Sequence, residues 1–206
     1  SDAERIGKCC DWIRVSLDAA TPETFARVHG VSEKCFRQVQ DHIGELANAP
    51  GRRCVVGVGV LTNEENRAEI ISAAKLIKEL GADYVQYRPF NFDRADVSPE
   101  IREAEALYSD DRFSVLASWS KYELMLPGWK KPYTDCAWIH FGLVVNANGD
   151  VSICCDHKDR HGRYGNLHES TLRELWSGDA KRKCIEAIEL GRDCPPFCRG
   201  NVHNMT

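Results

Sequence analysis

The first half of the chain alternates apolar runs with segments of helical periodicity. The runs are Trp12–Leu17, Cys54–Leu61 and Tyr84–Arg88. The middle run is a continuous, valine-rich stretch, which is typical of a strand buried on both faces. Strands that alternate with helices in this way predict a parallel sheet whose crossover connections are right-handed.

A helix is predicted after each of these strands, because apolar residues there recur at steps of three and four. Residues that are common at helix ends mark the limits of these segments. The predicted helices run from Thr21 through Val28, from Ser32 to about Leu46, between Asn63 and Gly81, and from Ser98 to about Tyr108.

These elements predict an α/β fold over residues 1–111, in the form of a partial (β/α) barrel of about three βα units. Three units are half of a six-unit barrel and less than half of an eight-unit barrel. The first strand begins at Trp12, and no earlier segment is predicted to complete the edge of the sheet. We therefore expect the chain to be the later part of a larger barrel, with an exposed strand edge that favours pairing with another chain.

Residues 112–206 are predicted to form a second, small α+β domain. Residues 112–135 are rich in Trp, Tyr and Lys and are interpreted as a linker with a short helix. A β-hairpin and two short helices follow. The predicted elements are the helix around Leu116–Met125, the hairpin strands Phe141–Val145 and Asp150–Cys154, a helix capped by Ser170, and a helix over Lys181–Leu190.

Composition narrows the class of protein. The net charge of −4 over 206 residues gives no basic surface of the kind that nucleic-acid-binding proteins carry. The longest apolar runs are too short to span a bilayer, and residues Ser1–Asp11 do not resemble a signal peptide. Ten cysteines in a chain of this kind indicate metal ligation by thiolates in a cytoplasmic protein. An extracellular protein with four or five disulfides is an alternative.

Four of the cysteines have a spacing that suits a metal site. Cys136 precedes the predicted hairpin, Cys154 ends it, and Cys194 and Cys198 form a CX3C pair on a proline-rich loop. Four thiolates are the number required by an iron-sulfur cluster or by Zn²⁺. The alternative is that they are ordinary buried thiols.

The other six cysteines are assigned no metal. We expect Cys155 to point away from Cys154, because neighbouring side chains alternate along an extended strand. Cys184 lies on a predicted helix and is kept as a possible replacement for Cys194. Core or adventitious thiols are expected at the remaining positions, which are Cys9, Cys10, Cys35 and Cys54.

The sequence resembles that of a known enzyme family. The phrases DWIRVSLDAATPETFARVHG, GVGVLTNEEN and GADYVQYRPF are similar to the fourth to sixth βα units of radical S-adenosylmethionine enzymes. The spacing CX12GX4C, which begins at Cys136, resembles the C-terminal auxiliary-cluster extension of that family, the SPASM domain or the shorter twitch domain. The segment GRYGNLHESTLRELWSG is also typical of this extension.

Two departures from the family pattern change what the resemblance implies. The CX3CX2C motif that holds the catalytic cluster is absent from the sequence. The chain is therefore expected to be a fragment, half of a split enzyme or a natural remnant. A single CX3C pair implies one auxiliary [4Fe–4S] cluster, as in a twitch domain, with Cys136, Cys154, Cys194 and Cys198 as its ligands.

The resemblance also implies cofactor contacts at the ends of the predicted strands. Ser16 and Asp18 lie at the position where the family contacts the ribose of S-adenosylmethionine, although Asp18 is also suited to capping a turn. Arg88 lies where its guanidinium would meet the carboxylate of S-adenosylmethionine or a neighbouring acid. Asn63 is a weaker candidate of the same kind.

The expected function follows from these implications. The chain would be the iron-sulfur-binding C-terminal part of a radical S-adenosylmethionine enzyme that modifies a peptide, a sugar or an aminocyclitol by hydrogen abstraction. Its partners would be the missing N-terminal half and an electron donor such as flavodoxin or ferredoxin, and the chain alone is expected to be inactive. The alternative is a non-catalytic interaction module that binds zinc or an iron-sulfur cluster beside a remnant half-barrel.

Overall fold

The computed structural model describes residues 2–90, 95–126, 128–158, 161–198 and 200–205. The chain divides into two compact units, Ser1–Pro127 and Gly128–Thr206. Among the helices of the described residues, none has the length and apolar character of a membrane span.

The N-terminal unit is built on a four-stranded parallel sheet. The strands are β1 (Trp12–Ser16), β2 (Val55–Thr62), β3 (Tyr84–Pro89) and β4 (Ser114–Ala117), and they pair in the order β1-β2-β3-β4. Every pairing is parallel, so the predicted α/β class with a parallel sheet is confirmed.

One helix that was not predicted precedes β1, and the other helices follow the strands in the predicted order. The helices are α1 (Asp2–Cys9), α2 (Pro22–His29), α3 (Lys34–Ala47), a 3-10 turn (Arg67–Glu69) that leads into α4 (Ile70–Glu79), α5 (Ser98–Tyr108) and α6 (Trp119–Glu123). The side chain of Thr21 accepts a hydrogen bond from the backbone of Thr24, as predicted for the N-cap of α2. Gly81 follows α4 with φ +86°, a conformation that glycine adopts without strain.

The helices pack on one face of this sheet. Val58, Val85 and Val115 point to that face and are buried in one core with Ile43 and Ile77 from the helices.

The opposite face of the sheet is more open. Trp12 is 61% exposed and Leu116 is 44% exposed. On β2 this face carries Gly57, and the ring of Tyr84 occupies the space that a side chain would need there.

The segment interpreted as a linker is part of the first unit. Ser114–Ala117 pairs with β3 as the fourth strand, and the helix expected around Leu116–Met125 spans only Trp119–Glu123. Tyr122 from this helix is buried in the core of the unit and is hydrogen-bonded to Thr62, with 2.8 Å between the hydroxyl oxygens. The division at residue 127 therefore lies beyond the predicted boundary at 111, because a four-residue strand is too short for its period to be read.

The described residues of the C-terminal unit form a small antiparallel sheet and five short helices. The strands are β5 (Val144–Val145), β6 (Asp150–Ser152) and β7 (Arg163–Asn166), in the order β5-β6-β7. The helices are α7 (Trp138–Phe141), α8 (Leu172–Ser177), α9 (Asp179–Glu186), α10 (Leu190–Asp193) and α11 (Asn201–Asn204). The predicted hairpin is present but shorter, since Phe141 belongs to α7 and Cys154 follows β6. The strand β7 was not predicted.

Two local features organise this unit. The turn between β5 and β6 ends at Gly149, where φ is +83°. The helix α8 begins with a capping box formed by Thr171 and Glu174, so Thr171 caps the helix instead of Ser170.

A compact core formed by Ile139, Val151, Ile153 and Tyr164 joins the sheet to the surrounding helices.

Candidate metal centre

The four cysteines proposed as metal ligands lie on the wall of one cavity in the C-terminal unit. Cys136, Cys154, Cys194 and Cys198 all line it. Apolar side chains complete much of the wall, among them Ile139, Ile188, Leu190 and Pro195. The cavity is therefore rich in sulfur and has an apolar surround.

Each of these cysteines is positioned by the end of a regular element. Cys136 lies two residues before α7, and Cys154 lies two residues after β6. Cys194 directly follows α10. Cys198 precedes α11, and its carbonyl oxygen accepts a hydrogen bond of 3.2 Å from the backbone of Asn201. Segments that are far apart in sequence thus meet at one site.

Burial shifts the thiols of this cavity toward their neutral form. It raises the pKa of Cys154 to about 11 and that of Cys194 to about 12. At Cys194 the charge of Lys131 opposes the effect of burial, while the neighbouring Cys198 adds to it. Cys154 and Cys194 are therefore protonated at neutral pH, and a metal that binds there displaces protons.

Three polar side chains meet the sulfur atoms directly. Nε2 of His157 lies 3.5 Å from Sγ of Cys194, and Nδ2 of Asn204 donates to Sγ of Cys136 at 3.4 Å. Sγ of Cys198 donates to Oδ1 of Asn201 at 3.3 Å. The sulfur positions are thus held by hydrogen bonds as well as by packing.

The donor set fits an iron-sulfur cluster. Cysteine thiolates are soft ligands that select iron-sulfur clusters and other soft or borderline metals. Among the described residues, no three Cys, His, Asp or Glu side chains are placed to hold one metal ion together. Because Zn–S bonds are about 2.3 Å long, thiolates that share a single zinc ion must crowd closely. Four thiols that line one cavity are the usual complement of an iron-sulfur cluster.

The structure corrects the expectation for Cys155. Cys155 lines the same cavity as Cys154, because the chain leaves β6 at Ser152 and enters a turn. The alternation of an extended strand therefore does not apply there.

The remaining cysteines lie elsewhere. Cys184 donates to the carbonyl oxygen of Arg163 at 3.4 Å and packs against the core of the unit. Cys54 is buried in the N-terminal unit, where Cys9 and Cys10 are exposed and Cys35 is partly buried. All ten cysteines lie in the described ranges and none forms a disulfide.

Asp18 links the ends of two strands in the N-terminal unit. It is 4% exposed and has φ +59°. Its Oδ1 accepts a 2.6 Å hydrogen bond from the backbone of Leu61, and its Oδ2 accepts one of 2.8 Å from the hydroxyl of Ser16. Nε2 of His29 lies 3.5 Å from the same Oδ2. The carboxylate thus organises the strand ends and orients the Ser16 hydroxyl.

Arg88 lies on the open face of the sheet. Its Nη2 is 3.6 Å from the position that a Cβ at Gly59 would occupy, and the side chain of Arg14 lies beside the same point at 3.5 Å. Gly59 pairs with Ser16 on one side and with Gln86 on the other, and Arg88 pairs with Leu61. The guanidinium of Arg88 therefore lies beside the glycine that pairs with Ser16. The weaker candidate Asn63 lies instead in a groove that Asp18, His29 and other residues line.

Sequence reasoning missed several residues of both sites. Arg14 donates to Oε1 of Gln86 at 2.6 Å. Arg14 and Ser16 are two residues apart on β1, so they share a face of the strand, and this spacing could have identified Arg14. His157 is 1% exposed although it lies in a segment of mixed charge. Lys131 contacts the carbonyl oxygens of Pro195 and Pro196, which no side-chain pattern reveals.

The comparisons with known proteins identify the segment that carries this cavity. Residues 136–200 match the SPASM family, described as an iron-sulfur cluster-binding domain. The match contains all five cysteines of the cavity wall. No curated protein matches the chain.

Solved structures show a related fold. SuiB from Streptococcus suis is similar over 81% of this chain and 43% of that chain, with 12% identity and a TM-score of 0.51. This chain thus spans less than half the length of SuiB. BtrN in an open conformation aligns over 96% of this chain and 76% of that chain, with 13% identity and a TM-score of 0.27. The likeness to SuiB is one of fold.

Proposed function

Because residues 136–200 form a SPASM iron-sulfur cluster-binding domain, we propose that this chain is the auxiliary-cluster part of a radical S-adenosylmethionine enzyme. The observation that carries the proposal is the meeting of Cys136, Cys154, Cys194 and Cys198 on one cavity wall. Their spacing in the sequence and their positions in the fold support one and the same ligand set.

The bound group is proposed to be a single [4Fe–4S] cluster. Four cysteine thiolates are its usual complement, and Cys136, Cys154, Cys194 and Cys198 line one cavity. When bound, such a cluster supplies one-electron transfer and helps to seat a substrate. The chain itself supplies four ligands, an apolar wall that excludes water, and the charge of Lys131 near the thiolates.

The open face of the parallel sheet supports a partial barrel. In a (β/α) barrel the helices cover the outer face of the sheet and the inner face points to the site. The described helices of this unit pack on one face of the sheet. The other face carries Arg14, Gln86 and Arg88 beside Gly57 and Gly59 of β2. A doubly wound fold would have helices on both faces.

Ser16 and Arg88 are proposed to contact S-adenosylmethionine on this face. The hydroxyl of Ser16 suits a ribose oxygen, and the guanidinium of Arg88 suits a carboxylate. Asp18 is proposed to act through Ser16, since its carboxylate already accepts hydrogen bonds from Ser16 and Leu61. The proposal thus gives Ser16 and Arg88 contacts to the cofactor and gives Asp18 a supporting role.

The complete enzyme would need a further segment. The sequence contains no CX3CX2C motif, so the catalytic cluster would be held by an N-terminal half, in the same chain or in another. An electron donor such as flavodoxin or ferredoxin would reduce the clusters, and the substrate would be a peptide, a sugar or an aminocyclitol. The present 206 residues are expected not to cleave S-adenosylmethionine alone.

Anaerobic reconstitution tests the proposal. The chain should take up about four iron and four sulfide per molecule and turn brown, which is the composition of one [4Fe–4S] cluster. Cys154→Ala and Cys194→Ala should prevent this uptake. Cys184→Ala is the matched control, since Cys184 lies outside the cavity wall, and it should bind the full amount. Colourless zinc binding, or full iron uptake by Cys154→Ala, would contradict the assignment.

A further inference from the structure

A histidine reaches the candidate cluster ligands from the interior of the C-terminal unit. His157 is 1% exposed, and its Nε2 lies 3.5 Å from Sγ of Cys194. The distance is in the range of a hydrogen bond to sulfur. Since a thiolate carries no proton to donate, Nε2 must carry the hydrogen once Cys194 binds a metal.

Gly162 packs closely against the Cβ and the backbone of His157. A Cβ at Gly162 would lie 2.6 Å from the Cβ of His157 and 2.8 Å from its carbonyl oxygen. Gly162 also donates to that carbonyl oxygen at 3.1 Å, and its own carbonyl accepts from Ile153 at 3.0 Å. The position of His157 is therefore defined by packing and by backbone hydrogen bonds.

The four sulfur atoms do not have equal surroundings. Cys194 faces the Nε2 of His157, and Cys136 accepts from the amide of Asn204. Cys198 instead faces the carbonyl oxygen of the Asn201 side chain, which also accepts from the hydroxyl of Tyr133. Only some of the ligands therefore receive an N–H bond from a side chain of the described residues.

We propose that His157 is a positioning residue that donates its Nε2–H to Cys194 and raises the reduction potential of the auxiliary cluster. The inference rests on the proposed function, since it takes Cys194 as a ligand. Adding one electron increases the negative charge on the cluster and its thiolates. An N–H dipole directed at a ligand sulfur stabilises that charge, so the reduced form gains more than the oxidised form.

The test compares four reconstituted proteins in the full chain. His157→Phe removes the donor and keeps a ring, and His157→Gln keeps an N–H donor of similar reach. His161→Phe is the matched control, since His161 is exposed and its ring centroid lies 6.3 Å from that of His157. Each protein is titrated with dithionite, and the cluster is followed by absorbance and by electron paramagnetic resonance.

The wild type and His161→Phe should share one midpoint potential. In His157→Phe the ratio of reduced to oxidised cluster at a fixed potential should fall about tenfold, which is 59 mV for a one-electron couple. His157→Gln should recover most of the difference. An unchanged potential in His157→Phe with a full complement of iron would overturn the inference while leaving the proposed function intact.

A second readout does not depend on the folding of His157→Phe. In the wild type labelled with ¹⁵N-histidine, the reduced cluster should show a weakly coupled nitrogen in pulsed electron paramagnetic resonance, and the coupling should vanish in His157→Gln. A cluster without this coupling in the wild type would refute the hydrogen bond. Failure of the wild type to take up iron would overturn the proposed function, and the inference with it.

Discussion

The ammonium nitrogen of Lys131 lies 3.4 Å from the carbonyl oxygen of Pro196, and it also donates to the carbonyl oxygen of Pro195. These two prolines lie between Cys194 and Cys198. One cation therefore binds the backbone that spaces the CX3C pair, and its charge opposes the rise that burial causes in the pKa of both thiols. Lys131 thus contributes to the shape of this loop and to its charge.

Lys131→Met should weaken the retention of the cluster. The substitution keeps the aliphatic length but removes the charge and both hydrogen bonds, so the loop loses a constraint. Loss of iron to a chelator should become about tenfold faster, as is usual when a residue that supports a metal ligand is removed. Lys130→Met is the control, because Lys130 is exposed. Equal rates for the two variants would show that Lys131 has no such role.

The raised pKa values of Cys154 and Cys194 predict that these thiols are alkylated slowly in the metal-free protein. With its pKa at about 11, Cys154 is about one-thousandth thiolate at pH 8, and only the thiolate reacts. Iodoacetamide should therefore label the exposed Cys9 and Cys10 first, as followed by mass spectrometry of peptides. Below the pKa the thiolate fraction grows with pH, so labelling of Cys154 should rise about tenfold per pH unit from pH 8 to pH 10. A rate that is flat over this range would be inconsistent with burial as the cause.

Gly149→Ala should destabilise the C-terminal unit. The φ of Gly149 is +83°, and an added Cβ would lie 2.7 Å from His168 and 2.9 Å from Asn166. We expect a loss of about 1–3 kcal/mol in the free energy of unfolding, which is typical of a non-glycine residue in this region. Gly191→Ala is the control, since a Cβ there meets nothing within 4 Å. Denaturant titration of both variants measures the difference, and equal midpoints would contradict it.

The lowered pKa of Glu69 predicts that the stability of the N-terminal unit depends on pH. Burial alone would raise the pKa of Glu69, but hydrogen bonds from Thr24, Thr21 and Ala20 outweigh it and lower the pKa below its ordinary value. The hydroxyl of Thr24 and the backbone of Ala20 both lie 2.6 Å from its carboxylate. A carboxyl group whose pKa is lowered by folding stabilises the fold at pH values above its pKa in the unfolded state. This stabilisation is lost as the pH falls through its pKa in the folded state.

Glu69→Gln should therefore lower stability at pH 7 by about 1–3 kcal/mol, since buried donors lose an acceptor. The difference from wild type should shrink as the pH falls below the unfolded pKa and through the lowered folded pKa, because the wild-type carboxylate then becomes protonated as well. Glu79→Gln is the control, since Glu79 is exposed and makes only a 3.9 Å ion pair with Lys75. Unfolding curves across this pH range measure both effects. A difference that grows on acidification would show that the sign is wrong.

The α/β class of the N-terminal unit and the parallel pairing of its strands could be predicted from local pattern. The valine-rich run of β2 and the apolar steps of α4 each contain enough residues for their period to be recognised. Ser114–Ala117 could not be recognised in this way, because four residues are too few to show a period. This segment becomes a strand by pairing with β3. Which face of the sheet the helices leave open was likewise undecided until the register of β1, β2 and β3 was known.

In the candidate site, the sequence by itself determined the ligand chemistry. The identity of Cys136, Cys154, Cys194 and Cys198 as candidates followed from residue type and spacing, which are local properties. Only the tertiary structure decided that Cys155 lies on the same wall while Cys184 packs against the core of the unit. It also brought His157 and Asn204 to the sulfur atoms and Lys131 to the proline carbonyls. Such contacts join segments tens of residues apart, and their formation depends on how the short helices pack together.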